Sequence, residues 1–374
     1  MGRPERHFPA IHVGGTNGKG STCAFVAAEL RARGLRVGLY TSPHLVSPCE
    51  RIVVNDVPIG EEAFAEWTTV LRPHIDRTDA SFFEAVTAIA FADLAARGVD
   101  VAVIEVGLGG RLDATNVITP LASVVTKIAL EHTDYLGSDL KGIAREKAGI
   151  AKRSVPFVTG EPDAELRAEL VREAERRGAA PVIVVDTTRP PVPGTRLGLR
   201  GPHQMANALV AQAALNALSA PFGPVGERMP PSFADAYVPG RFDVRGKWIF
   251  DVAHNPDGMR VLVSALAAQA PPRPLHALVG IRNDKDWRPM LGLLSPVVDR
   301  LVLTVPPSIP VLQRWSVNDV AGRQGAGRAV AQFEPDFDAA LREVQDGAAT
   351  VVVTGSFHTV GDALARLPGF APVG

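Results

Sequence analysis

Short apolar runs alternate along this chain with longer stretches whose apolar positions recur at helical spacing. The runs predict strands over 10–13, 36–40, 101–106, 122–128, 156–159 and 182–185. The longer stretches predict helices over 21–33, 82–97, 140–150, 163–177 and 204–218. In the first helix Ala24, Ala27 and Leu30 share a face, and Gly34 stands where a C-cap glycine belongs. Strands that alternate with helices argue for an α/β architecture on largely parallel sheets. A second series of strands is expected over 248–252, 275–279, 301–305 and 350–354. Between the two series, the proline-rich stretches 187–194 and 220–232 read as loops, and Tyr237-Val238-Pro239-Gly240-Arg241 reads as a linker. The expected domains are therefore 1–240 and 241–374, and a chain of 374 residues is long enough for two hydrophobic cores. Glu61-Glu62, Asp284-Lys285-Asp286 and Pro306-Pro307 show no periodicity and read as solvated loops.

Composition narrows the function classes. A formal net charge of -1 gives no pull toward nucleic acid or an anionic membrane. Two cysteines, Cys23 and Cys49, are too few for a disulfide framework and read as reduced thiols in a cytosol. The polar segment 1–9 lacks the apolar region of a secretory signal, and no uncharged apolar run approaches a bilayer-spanning length.

The strongest chemical signal follows the first predicted strand: Gly14-Gly15-Thr16-Asn17-Gly18-Lys19-Gly20-Ser21-Thr22. Strand, glycine loop, lysine, hydroxyls and helix in that order are the context of a phosphate loop. Glycines let backbone N–H groups crowd around phosphate oxygens, and the helix N-terminus adds positive potential. Lys19 supplies a full charge for the β and γ phosphates, and Ser21 or Thr22 a hydroxyl for Mg²⁺. The spacing departs from G-x-x-x-x-G-K-[ST], because Gly14 is one residue too close and Gly20 follows the lysine. A plain glycine-rich βα turn is the bland alternative. Gly107-Leu108-Gly109-Gly110 is too short a glycine cluster for a dinucleotide site.

Three further residues could carry or neighbour the chemistry. Glu105 ends an apolar strand and points into the crevice where open α/β sheets bind ligands; it suits Mg²⁺, or a pairing with a nearby base. His132 is a metal ligand or an ordinary structural histidine, and the preference of Mg²⁺ for oxygen favours the second. Lys147, among Arg145, Glu146 and Lys152, reads from composition as part of a solvated charged face.

The form Gly-Thr-Asn-Gly-Lys-Gly-Ser resembles the phosphate loop of the Mur ligase superfamily. The segment 11–47 resembles the folylpolyglutamate synthase and dihydrofolate synthase family within it. The likeness continues through Val101–Asn116, 131–137, Arg145-Glu146-Lys147-Ala148-Gly149-Ile150, 201–207, Pro239-Gly240-Arg241-Phe242, 251–256 and Gly355-Ser356. It implies a P-loop, Mur-ligase-like domain followed by a smaller Rossmann-like α/β domain that closes over the nucleotide. It implies an ATP-dependent ligase that joins L-glutamate to a folate, dihydropteroate or tetrahydrofolate, through an acyl phosphate. By the same resemblance Thr16 to Thr22 and Asn207, Arg241 and Asp251 hold ATP, and Lys19, Lys147 and His254 act in catalysis. Ser21, Glu105 and His132 hold magnesium, and Lys147 is carbamylated by CO₂. Ser42, Ser81, Phe82, Glu84, Leu112, Asp113 and Ala114 line the folate pocket.

The resemblance also implies a monomer. The phosphate loop starts very near residue 1, whereas the family carries a longer preceding segment that contributes to the dihydropteroate pocket, which weakens the expectation of dihydrofolate synthase activity. Two other classes compete: a Mur-type ligase acting on a UDP-sugar peptide, and a non-catalytic nucleotide-binding protein.

Overall fold

Strand β1 (Ala10–Gly14) is buried along its whole length, and everything in the first half of the chain is arranged about it. The computed structural model of the protein describes residues 2–130, 137–190, 194–315 and 330–369. The chain divides into two compact units: residues 1–198 with 204–237, and residues 199–203 with 238–373.

In the first unit β1 feeds helix α1 (Lys19–Ala32), which returns to β2 (Val37–Tyr40). A hairpin of β3 (Ile52–Val54) and β4 (Val57–Pro58) follows, then α2 (Glu61–Thr78) and α3 (Phe82–Ala96). The chain re-enters the sheet as β5 (Val101–Glu105) and β6 (Ala122–Val125). Helix α4 (Leu140–Ala148) leads to β7 (Phe157–Thr159), and α5 (Ala164–Arg176) to β8 (Val182–Val184). Helix α6 (Gln204–Asn216) completes the unit. The sheet order is β4-β3-β2-β5-β1-β6-β7-β8, parallel from β2 to β8, with β3 and β4 antiparallel at one edge. The registers Val13↔Glu105 and Gly14↔Val125 set the ends of β1, β5 and β6 level, so their carboxyl-terminal loops emerge together.

Helix α1 is buried on nearly every side: Cys23 to Ala28 and Leu30 are all inside. It packs against α6 as well as the sheet, so a single apolar stripe would not suffice. Gly34 takes φ 81° after the last turn and donates to Arg31 O, as the C-cap reading requires.

The reading of Glu61-Glu62 as a solvated loop is corrected. They open α2, where acidic side chains favour the N-terminal dipole. This helix is hard to see because only Leu71 is buried and Pro73 interrupts it; Ala63, Phe64, Trp67 and Ile75 are half-buried partners of the core. Pro306 is also buried rather than solvated. Asp284-Lys285-Asp286 lies in a loop as expected.

The second unit begins with β9 (Asp243–Arg245) and β10 (Trp248–Asp251) and continues α7 (Pro256–Gln269), β11 (Leu275–Val279) and α8 (Trp287–Leu294). Then come β12 (Arg300–Leu303), β13 (Val330–Phe333), α9 (Phe337–Gln345), β14 (Thr350–Thr354) and α10 (Phe357–Arg366). The order β13-β12-β11-β14-β10-β9 is parallel except for β9, which makes the unit Rossmann-like. Its core gathers Ile249, Met259, Leu262, Val279, Met290 and Val352, with Trp287 edge-on to Trp315.

Candidate active site

The glycine loop between β1 and α1 is held from both sides. Gly15 has φ 133° and Gly18 φ 94°, conformations that a side chain resists. A Cβ at Gly15 would sit 2.0 Å from Thr126 Oγ1, and one at Gly18 would sit 2.3 Å from Asn207 Oδ1. Just past β6, Thr126 Oγ1 donates to Asn17 O at 2.8 Å, and Lys127 O accepts Thr16 N at 2.8 Å. Thr16 Oγ1 in turn donates to Ala129 O at 3.1 Å. The loop is thus a backbone cradle pinned to the neighbouring strand. Lys19 opens α1 and donates to Thr16 O at 3.0 Å, which folds its ammonium back over the loop. Ser21 and Thr22 follow in the buried first turn, and Thr22 Oγ1 has no hydrogen-bond partner among the described residues.

Two charged side chains flank this cradle. Glu105, the last residue of β5, is 4% exposed and accepts Ser42 N at 3.2 Å. A Cβ at Gly20 would lie 3.7 Å from its Oε2, so the carboxylate stands over the first turn of α1. Burial, then the Glu105 charge, push the Cys23 thiol up, and Lys19 opposes them; lysine and carboxylate therefore act on one buried spot. Lys147 on α4 is 3% exposed and its Nζ donates to Gly15 O at 2.9 Å. The solvated-face reading of Lys147 is corrected: the ammonium is buried against the glycine loop. Gly110 permits the approach, since a Cβ there would lie 2.8 Å from Lys147 O.

Beside the cradle, residues 107–116 form a tight loop. Asp113 caps the 3-10 turn Ala114–Val117, and its carboxylate also accepts Gly107 N at 3.1 Å and Leu108 N at 2.8 Å. Leu112 is strongly exposed and Ala114 half-buried. Opposite on α3, Ser81 and Glu84 form a reciprocal capping box, with Ser81 N donating to Glu84 Oε2 at 2.8 Å. Phe82 is 58% exposed, with the Arg51 guanidinium 5.4 Å from its ring centre and the His44 ring edge-on. Exposed Phe82 and Leu112 give this side of the first unit apolar surface that the core does not need.

In the second unit Asp251 ends β10 and accepts Phe242 N at 2.9 Å and Ala253 N at 3.0 Å. Burial pushes its carboxyl up, and the Arg241 guanidinium opposes that most. Arg241 and His254 both approach the Phe357 ring, at 5.5 and 5.4 Å. His254 Nδ1 donates to Val252 O at 2.9 Å, which places its proton on that nitrogen. A separate cluster, Ser308, His358 and Asp362, is not a nucleophilic triad. Ser308 Oγ donates to Asp362 at 2.9 Å, so it must accept from His358 Nδ1 and has no base to activate it.

The structure brings together Thr16, Asn17, Gly18, Lys19, Gly20, Ser21, Thr22, Glu105, Lys147 and Asn207 in the first unit. Arg241, Asp251 and His254 gather in the second. His132 lies outside the described residues. Thr126 and Lys127 escaped the sequence reading, which ran a strand through 122–128; a polar pair ending an apolar strand was the available signal.

The Mur ligase middle domain matches residues 13–188, and the Mur ligase glutamate ligase domain matches residues 240–357. The dihydrofolate synthase/folylpolyglutamate synthase of Mycobacterium tuberculosis is 33% identical over 97% of this chain and 87% of its own. That of Escherichia coli is 35% identical, over 93% and 84%. Among solved structures, M. tuberculosis folylpolyglutamate synthase with ADP superposes with a TM-score of 0.83 at 32% identity, covering 97% of this chain and 91% of that one. E. coli FolC with DHPP and ADP gives 0.82 at 32% identity, covering 96% and 88%. A bifunctional folylpolyglutamate synthase/dihydrofolate synthase with Mn, AMPPNP and L-glutamate bound gives 0.82 at 33%, covering 97% and 90%. Cradle, buried lysine and strand-end carboxylate therefore sit in a chain similar along its length to folate ligases, and the chain belongs to the folylpolyglutamate synthase/dihydrofolate synthase family of Mur ligases.

Proposed function

We propose that this chain is an ATP-dependent ligase that joins L-glutamate to a folate, with dihydropteroate, a tetrahydrofolate polyglutamate or both as acceptor. The observation that carries the reading is the glycine cradle flanked by buried Glu105 and Lys147. The folate carboxylate attacks the γ-phosphorus of ATP, ADP leaves, and the glutamate amine displaces phosphate from the acyl phosphate. Such a reaction needs positioning and charge neutralisation more than a protein nucleophile.

Residues Thr16 to Thr22 and Asn207 hold the nucleotide, with Lys19 on its phosphates. The residues fit a magnesium ion. Glu105 is a buried hard-oxygen donor near Gly20, and Ser21, the next residue of that helix turn, offers a hydroxyl. His132 would join them. The ion supplies charge neutralisation at the phosphates. Lys147 supports the loop through Gly15 O, and carbamylation would convert it to an anion that neighbours the metal. Ser42, Ser81, Phe82, Glu84, Leu112 and Ala114 line the folate pocket, with Asp113 holding its loop. In the second unit Arg241 serves the phosphates, Asp251 the ribose and His254 the reacting phosphate.

The test is phosphate release from Mg-ATP with glutamate and either dihydropteroate or tetrahydrofolate, with product mass counting the residues added. Phosphate release that requires glutamate and one of these acceptors is expected. Release driven only by a UDP-muramyl acceptor would overturn the reading.

A further inference from the structure

His12 is fully buried in the middle of β1, below the nucleotide loop, and no step of the reaction uses it. Its Nε2 lies 2.8 Å from Thr115 Oγ1. Thr115 Oγ1 makes a very short hydrogen bond to Asp113 Oδ1, and Thr115 N donates to the same oxygen at 2.9 Å. The other oxygen accepts Gly107 N and Leu108 N.

Counting protons fixes the direction of the chain. A carboxylate only accepts, so the single hydroxyl proton of Thr115 goes to Asp113. Thr115 Oγ1 must then accept from His12 Nε2–H. The remaining ring nitrogen, Nδ1, carries a lone pair, and it is buried with no hydrogen-bond partner among the described residues. Burial, and secondarily the Lys152 charge, hold the ring neutral, which suits a single-donor tautomer. Asp113 thus accepts four hydrogen bonds from the chain, which occupies its lone-pair positions.

We infer that His12 and Thr115 are positioning residues for folate binding: they orient Asp113, which acts on the substrate indirectly by shaping the loop from Gly107 to Ala114. This rests on the assignment of that loop to the folate pocket. The relay links the central strand under the cradle to the pocket wall, and every group in it lies in the first unit.

The experiment measures KM for the folate and KM for ATP in Thr115→Val, Thr115→Ser, His12→Leu, His12→Gln and Ala114→Trp, with ADP affinity as the folded-state control. Thr115→Val and His12→Leu remove a donor at nearly constant volume and leave a buried partner unsatisfied. They should raise the folate KM by about tenfold with the ATP KM unchanged. Thr115→Ser and His12→Gln keep a donor and should restore most of it. If Thr115→Val does not fold, the His12 pair carries the same comparison. Ala114→Trp obstructs the loop sterically. If it raises the folate KM while neither donor deletion does, the relay is overturned and the pocket assignment stands. If all three leave the folate KM unchanged, the pocket assignment falls and the relay with it. Equal rises in both KM values would reduce His12 and Thr115 to general structural support and also overturn the inference.

Discussion

Lys147 Nζ donates to Gly15 O at 2.9 Å, so a residue on the fourth helix braces the second glycine of the phosphate loop. Lys147→Ala removes both the brace and a buried cation. Ligase turnover should fall about 100-fold or more, the scale of losing one preorganised electrostatic contact. Acetate or bicarbonate added to the variant should restore little. Steady-state phosphate release checks this, and full activity in the variant would remove Lys147 from the machinery. Carbon-13 bicarbonate NMR on the wild type, with Lys147→Arg as reference, tests the carbamate directly.

Glu105 stands over the first turn of α1 with little solvent around it. Glu105→Gln keeps its shape and removes its charge. Turnover should fall about 100-fold, and half-maximal activity should need more magnesium. A magnesium titration decides; an unchanged metal requirement would show that Glu105 is no ligand.

Replacing Gly15 or Gly18 with alanine places a Cβ 2.0 Å from Thr126 or 2.3 Å from Asn207, with φ values of 133° and 94°. Each should cost about 1–3 kcal/mol in denaturant unfolding and weaken ADP binding at least tenfold. Gly20 is already helical, and a Cβ there meets nothing closer than 3.7 Å. Gly20→Ala should leave stability unchanged or raise it by about 0.5 kcal/mol. Equal losses at all three positions would contradict the geometry.

Burial lowers the His12 pKa to about 3, against about 6.5 when unfolded. Below pH 6.5 the unfolded chain therefore binds a proton that the folded chain does not. Stability should fall as pH drops from 6.5 toward 3, by up to about 1.4 kcal/mol per pH unit from this residue. His12→Gln lacks the titration. Between pH 7 and pH 5 urea unfolding should show the wild type losing about 2 kcal/mol more than the variant. Parallel pH profiles would mean that the ring takes up its proton as readily in the fold as in the unfolded chain.

The Ser81–Glu84 capping box makes a stability prediction independent of substrate. Ser81→Ala should cost about 1 kcal/mol and Ser81→Thr almost nothing, read by thermal unfolding without ligand. A change in folate KM in Ser81→Ala beyond that of an equally destabilised control would identify a direct contact.

The sequence carried the alternation of strand and helix because parallel strands buried on both faces are written as plain apolar runs. It carried the cradle because glycine, lysine and hydroxyl occur together there. The hairpin at Ile52–Val54 and Val57–Pro58 was also written in it: Asn55 and Asp56 both take positive φ, as a tight turn needs, yet the pair was passed over. What local pattern could not show is which charges end up inside. Lys147 and Arg145 are neighbours in one helix, and only contacts with Gly15 and Gly110, distant in sequence, bury the first while the second stays exposed. His12 likewise looks like a polar interruption of a strand until Thr115, some hundred residues on, arrives beside it.

The flanks of the eight-stranded sheet set how the chain meets others of its kind. One outermost strand is two residues long and ends in Pro58, which has no N–H; the other spans three residues. An extended segment from solvent would find almost no free amide ladder to extend. The long parallel sheet can therefore be rich in valine and isoleucine without inviting edge-to-edge stacking into fibrils, so its crowded middle can be tuned for catalysis without added risk of aggregation.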